Sequence, residues 1–179
     1  MRRDQLEHAI RAACSVSGDT ELLIFGSQAI LGSYPDPPGA VAASIEVDVQ
    51  ALNYPEKTDA IDANLGELSR FHHTHGFYVH GVLIDAAVLP AGWRTRTVPV
   101  SDPRQTRGCT GHCLEAHDLA ASKLVAFRDQ DRTFVVTLLA EGLIDGTTLL
   151  DRIAELPVDD ARRDELSTWV RCIMKDLAE

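Results

Sequence analysis

The sequence has no apolar run approaching the roughly 18 residues that a membrane-spanning helix requires. It has no Walker motif and no glycine-rich phosphate loop, which argues against a P-loop phosphotransferase. Its four cysteines (Cys14, Cys109, Cys113, Cys172) are too few and too scattered for a disulfide framework, so a reducing cytoplasm is the expected compartment. Met1-Arg2-Arg3-Asp4-Gln5 runs into a mixed-charge helical pattern instead of an apolar signal region, which argues against secretion. Positive charge is scarce: there are only three lysines, and the net charge is −10 over 179 residues. That balance argues against a general nucleic-acid coat protein, because non-specific binding is mostly phosphate neutralisation. The charge is uneven, however. Ala91 to Arg132 carries a net +2 while the remainder carries −12, so a local polyanion site is compatible with the chain.

What is present is enough for a core: 45% of residues are hydrophobic and 25% charged. Leu6, Ala9, Ile10 and Ala13 recur at helical spacing, and Gly18 ends that segment. Leu22-Leu23-Ile24-Phe25 has the continuous apolar character of a buried strand, and Gln28 to Leu31 reads as a helix with Ser27 at its N-cap. A triple-proline loop follows at 34–39. Ser44 to Leu52 alternates apolar and polar, the period of a strand with one wet face. Lys57 to Phe71 returns to helical period. Phe77 to Leu89 predicts one or two strands, with Thr97–Val100 and Gly108–Leu114 as further strand candidates. From Asp118, which reads as a helix cap, the pattern is helical in four segments to Leu177. The expectation is one α+β domain over 1–179, with an α/β core at 1–115 and a helical part at 116–179.

The sharpest chemical feature is Phe25-Gly26-Ser27 at a strand-to-helix turn. Gly26 permits close backbone approach, the helix start offers amide donors worth roughly 0.3–1 kcal/mol to an anion through the dipole, and Ser27 adds a hydroxyl. This pattern suits a phosphate. Glu46 and Asp48 lie two apart on the alternating strand, so both carboxylates leave one face. At about 4 Å two such charges repel by roughly 4 kcal/mol at an effective dielectric near 20, so they need a cation, a shared proton or good solvation. Hard oxygen ligands favour Mg2+. The bland alternative is an acidic wet face on an edge strand. Lys123 sits within an otherwise apolar helical stretch and needs an anionic partner: a triphosphate, or a salt bridge to Glu115 or Asp131.

Phe25-Gly26-Ser27-Gln28-Ala29-Ile30-Leu31-Gly32-Ser33-Tyr34, Ser44-Ile45-Glu46-Val47-Asp48, Leu89 to Arg96 and the helical stretch Asp118 to Phe134 together resemble the bacterial nucleotidyltransferase-like toxins of toxin–antitoxin pairs. These belong to the polymerase-β-type nucleotidyltransferase superfamily. The resemblance implies a polymerase-β-like core, a mixed sheet flanked by helices, followed by a helical C-terminal region. It implies that Gly26 and Ser27 contact a nucleoside triphosphate (NTP) and that Glu46 and Asp48 hold Mg2+, with Mn2+ as the alternative ion. Lys123, Arg128 and Asp131 would then belong to the nucleotide- and phosphate-binding set, with Lys123 also catalytic beside Glu46 and Asp48. Asp85 is the candidate third carboxylate. The implied acceptor is a hydroxyl such as a tRNA 3′ end, and the implied partner a cognate antitoxin. The sequence departs from the superfamily pattern in its long proline insertion after Ser27 and in having Glu instead of Asp at 46.

Other clusters read more simply. Cys109-Thr110-Gly111-His112-Cys113 lacks the paired spacing of a structural zinc site and reads as a strand. His72-His73-Thr74-His75 marks a helix end before Gly76. Trp93 with Arg94 and Arg96 is either a nucleotide-stacking edge or a core plug flanked by solvated arginines. The C-terminal apolar stripes are packing surfaces.

Overall fold

A computed structural model describes residues 1–179, which cluster into two compact units. The first comprises Met1–Ala86 and Thr97–Glu115; the second comprises Ala87–Arg96 and Ala116–Glu179.

The first unit is built on a five-stranded mixed sheet in the order β3-β2-β1-β5-β4. Its strands are β1 (Glu21–Phe25), β2 (Glu46–Ala51), β3 (Tyr78–Gly81), β4 (Val98–Val100) and β5 (Thr110–Cys113). β1 runs antiparallel to β2 and parallel to β5; β2 and β3 are parallel, and β4 is antiparallel to β5. Four helices belong to this unit: α1 (Arg3–Ser17), α2 (Ile30–Ser33), α3 (Thr58–Leu65) and α4 (Arg70–His75). α1 presents Leu6, Ala9, Ile10 and Ala13, all fully buried, as the expected stripe. It lies so close to β5 that a Cβ on Gly111 would meet Ile10 Cδ1 at 2.6 Å. Likewise a Cβ on Gly32 of α2 would meet Cys113 Cβ at 2.5 Å. Leu22, Leu23 and Ile24 make β1 the apolar centre, whereas β2 alternates: Val47, Val49 and Ala51 are buried, while Glu46, Asp48 and Gln50 are half-buried on the other face.

The second unit is helical: α5 (Ala116–Ala126), α6 (Asp129–Ala140), α7 (Gly146–Ala154) and α8 (Asp160–Asp176), together with a 3-10 turn at Trp93–Arg96. α7 and α8 are capped by Asp145 and Asp159, whose side chains accept from Thr148 N and Arg162 N. Leu149, Ile153, Leu156, Leu166 and Val170 are fully or almost fully buried, as packing residues should be.

Several elements differ from expectation. The helix expected over Lys57 to Phe71 breaks into α3 and α4 because Gly66 ends the first and Leu68 takes a left-handed conformation, φ 63°. Only the first half of Phe77 to Leu89 forms a strand; Ile84–Ala86 is a 3-10 turn. The helix after Gly26 is short and divided, with a 3-10 turn Ser27–Ala29 leading into α2. The cap position there belongs to Gly26, so Ser27 is a turn residue and not the N-cap. Asp118 is not a cap either. It lies inside the first turn of α5, fully buried, where Arg96 binds it through Nε and Nη2 at 2.8 Å and Arg152 Nε lies at 3.2 Å. Such an acid is enclosed at low cost only because two guanidinium groups meet it.

Candidate active site

The site in the first unit grows from the end of β1. Phe25 pairs with Asp48 across the antiparallel β1/β2 ladder, so the chain leaves β1 beside the Asp48 carboxylate. Gly26 then adopts φ 65°, ψ −171°, a conformation essentially confined to glycine. A Cβ at this position would lie 1.9 Å from Asp48 Oδ2 and 2.9 Å from its Cγ. The carboxylate therefore occupies the space that any other residue's side chain would fill. Ser27 follows at the start of the 3-10 turn, and fully buried Gln28 donates through Nε2 to Ser44 O at 3.0 Å, tying the turn to the approach of β2. With only a three-residue turn and a four-residue helix here, the dipole is small. Any anion binding would rest on local backbone amides and the Ser27 hydroxyl.

β2 and β3 supply the rest. Their parallel register sets Glu46 against Tyr78 and Asp48 against His80, and registered residues share a face. His80 Nδ1 lies 2.9 Å from Asp48 Oδ1 and 3.1 Å from Glu46 Oε1. The three ligand atoms offered by Glu46, Asp48 and His80 all fall within 4.8 Å of one another. The side chains remain partly open, at 37%, 23% and 41% exposure, so a ligand can reach them.

The electrostatics follow from this convergence. Burial and then the Asp48 charge push the Glu46 carboxyl above its ordinary range, against the opposing pull of His80 and of a hydrogen bond with Tyr78. Burial and the Glu46 charge push the Tyr78 hydroxyl up to about 12. For His80, burial favours the neutral ring, but the bond to Asp48 and the charges of Asp48, Glu46 and Asp62 outweigh it and raise its pKa. Two converging carboxylates thus favour a positive charge beside them, which the His80 ring supplies when it is protonated. A divalent cation meets the same demand with the same oxygens. The donor set therefore fits a metal ion.

Asp85 lies elsewhere: it is exposed on the 3-10 turn after β3 and is not one of the three converging groups. The third group beside Glu46 and Asp48 is His80, which sequence reasoning missed. The signal was slight. Tyr78-Val79-His80 alternates as β3 requires, but only the β2/β3 register shows that His80 faces Asp48.

The other expected site residues converge in the second unit. Asp131, fully buried, receives Arg128 Nε on Oδ2 at 2.7 Å and Lys123 Nζ on Oδ1 at 3.2 Å. Lys123 Nζ also lies 4.9 Å from the centre of the Phe134 ring. Burial works to raise the Asp131 pKa, but the bond from Arg128 and the charge of Lys123 prevail and hold it below the ordinary carboxylate value. The partner that Lys123 requires is thus Asp131, one of the two acids foreseen. Arg128 keeps 66% of its side chain exposed. Of the arginine–tryptophan segment, Arg94 stacks 4.6 Å over Trp93, while Arg96 serves Asp118 and is not a solvated flank. The Cys109–Cys113 segment behaves as a strand: both cysteines are buried, and His112 Nε2 meets Glu21 Oε2 at 2.6 Å.

No helix is long and apolar enough to cross a membrane. No curated protein matches the chain, and no solved structure matches it. Residues 4–170 match the family described as nucleotidyltransferase of unknown function (DUF6036). The match takes in nearly the whole chain, which therefore belongs to that nucleotidyltransferase family.

Proposed function

We propose that this protein transfers a nucleoside monophosphate from an NTP to an acceptor hydroxyl, with Glu46 and Asp48 as the ligands of a divalent cation. The observation that carries the reading is the placement of the Asp48 carboxylate against Gly26, with Glu46 beside it. A metal ion, Mg2+ in the family resemblance and Mn2+ as the alternative, would neutralise triphosphate oxygens and polarise the reacting phosphorus.

The chain's own residues have distinct tasks in this reading. Gly26 leaves room for Asp48 and for close approach of a phosphate, and Ser27 offers a hydroxyl donor. Asp48 orients the acceptor hydroxyl and Glu46 completes the carboxylate pair. In the helical unit Lys123 and Arg128 serve as phosphate-contacting cations, aligned by Asp131. In the reaction an acceptor O–P bond forms at the α-phosphorus, the α–β bridging P–O bond breaks, pyrophosphate leaves and the hydroxyl proton passes to solvent. The toxin resemblance supports a tRNA 3′ end as acceptor and an antitoxin as partner. With a net charge of −10, contact confined to a short RNA end suits the chain better than extensive wrapping.

Incubation with labelled NTPs, a divalent cation and total tRNA tests this directly. Label transfer by the wild type and its loss in Asp48→Ala is the expected result; equal inertness of both counts against transfer. A second reading, a nucleotide-binding or regulatory module that retains the fold, is favoured by the His80 contact, because its Nδ1 lies 2.9 Å from Asp48 and 3.1 Å from Glu46 and can itself serve as the partner of both acids. Such a module would be stabilised thermally by nucleotide and release no pyrophosphate.

A further inference from the structure

We infer that His80 is a third metal ligand of this site, and that its ring nitrogen turns the site's preference from Mg2+ towards Mn2+. The inference rests on the cation site proposed above and goes beyond it in naming a ligand and an ion.

The geometry is the first support. Around a six-coordinate ion with bonds of about 2.1 Å, adjacent ligand atoms are about 3 Å apart. His80 Nδ1 stands 2.9 Å from Asp48 Oδ1 and 3.1 Å from Glu46 Oε1, which matches two such edges. Those separations serve an imidazolium hydrogen-bonded to carboxylates. They serve equally a neutral imidazole sharing an ion with them.

The fold is the second support. His80 is not a loop residue that drifts near the acids: the β2/β3 register sets it directly against Asp48. The next residue, Gly81, is pressed against α3, where a Cβ would lie 2.2 Å from Thr58 O and 2.7 Å from Asp62 N. That close packing fixes the end of β3 and with it the His80 backbone. The third support is the composition of the donor set. A third carboxylate would make an all-oxygen site suited to Mg2+, but Asp85 is exposed on its turn and not among the converging groups. Imidazole nitrogen favours transition ions over Mg2+, which prefers oxygen and gives up water reluctantly.

Mn2+ alone, added to the full-length wild type, is the probe, read by electron spin-echo envelope modulation. Directly bound imidazole nitrogen imposes a nitrogen modulation on the Mn2+ signal, and the wild type should show it. His80→Ala should lose that modulation and bind Mn2+ about tenfold or more weakly, in the range seen when metal-site partners are removed. His80→Asp should recover binding without nitrogen modulation and shift the Mg2+/Mn2+ competition towards Mg2+. Bound Mn2+ without nitrogen modulation in the wild type, or modulation that survives in His80→Ala, overturns the inference. If Mn2+ binding depends on Asp48 and shows no nitrogen, the His80 assignment fails while the transferase reading stands. If the wild type binds neither ion, with or without an NTP, both fall. The wild-type spectrum is decisive even if a variant misfolds.

Discussion

Replacing Gly26 by alanine sets two independent penalties at one atom. At φ 65°, ψ −171° the backbone lies in a region essentially closed to residues with a Cβ, and occupying it costs about 1–3 kcal/mol. The new Cβ would also lie 1.9 Å from Asp48 Oδ2, when ordinary contact begins at 3.4 Å. The carboxylate must therefore withdraw by about 1.5 Å, enough to lose its place beside Glu46 and His80. For a chain of this size each kcal/mol lowers Tm by roughly 2–4 °C, so Gly26→Ala should lose about 2–12 °C. Mn2+ affinity should fall about tenfold or more. Gly18→Ala is the control: Gly18 also has positive φ, 71°, but a Cβ there would meet nothing within 4 Å. It should cost about 1–2 kcal/mol as left-handed strain and leave Mn2+ binding unchanged. Thermal unfolding and isothermal titration on the three proteins measure both effects. Wild-type Mn2+ affinity in Gly26→Ala would refute the claim that the glycine exists to admit the Asp48 carboxylate.

Asp48→Asn, nearly isosteric, should keep the fold within a few degrees of wild-type Tm while abolishing Mn2+ binding and nucleotide transfer; retained metal binding in titration would remove Asp48 from the ligand set. Asp131→Asn leaves Lys123 with no buried counter-charge and should cost about 3 kcal/mol near neutral pH, read by denaturant unfolding. Because the folded-state pKa of Asp131 is depressed, its ionised form contributes stability above its unfolded value near 3.8, and that contribution declines as pH falls further. The wild-type advantage over Asp131→Asn should therefore shrink below about pH 4, whereas a gap constant down to pH 2 would contradict the ion-pair origin. Asp19→Ala should cost about 1–3 kcal/mol, since this buried carboxylate accepts from Glu21 N, Asn53 N and Tyr54 N; protection of the Asn53 and Tyr54 amides in hydrogen exchange should fall with it.

The parts of the fold written in local periodicity were readable. The stripe of α1, the apolar β1 and the alternation of Glu46, Val47 and Asp48 each carry their structure within a few residues. The carboxylate pair was legible for the same reason, because two positions on a strand share a face wherever the strand sits. What could not be read depends on partners distant in sequence. His80 matters only through the β2/β3 register, Asp118 only through Arg96 and Arg152, and the break at Leu68 only through a left-handed residue that no propensity predicts. Asp85 falls in a stretch whose pattern predicts a strand, but the strand ends at Gly81 and the acid is exposed on the turn that follows.

The same register explains the glutamate at position 46, where the superfamily resemblance would lead one to expect an aspartate. Asp48 is directly opposite His80 and needs only a short side chain to reach Nδ1. Glu46 is opposite Tyr78, two residues before His80, and must reach the same nitrogen along a diagonal. Strands lie about 4.8 Å apart and rise about 3.3 Å per residue, so a neighbour two residues along the adjacent strand is roughly 8 Å away, against about 5 Å for a direct one. The extra methylene of glutamate adds about 1.5 Å towards closing that gap. The position thus calls for Glu because the group it meets is a histidine two residues along the adjacent strand. Glu46→Asp, a change towards the commoner acid, should therefore weaken Mn2+ binding about tenfold while leaving Tm within a few degrees. The carboxylate would fall short of the point that Asp48 and His80 share. Titration of the variant with Mn2+ decides the matter: affinity equal to or above that of the wild type would show that side-chain length at position 46 is indifferent, and that the diagonal reach to His80 has no part in assembling the site.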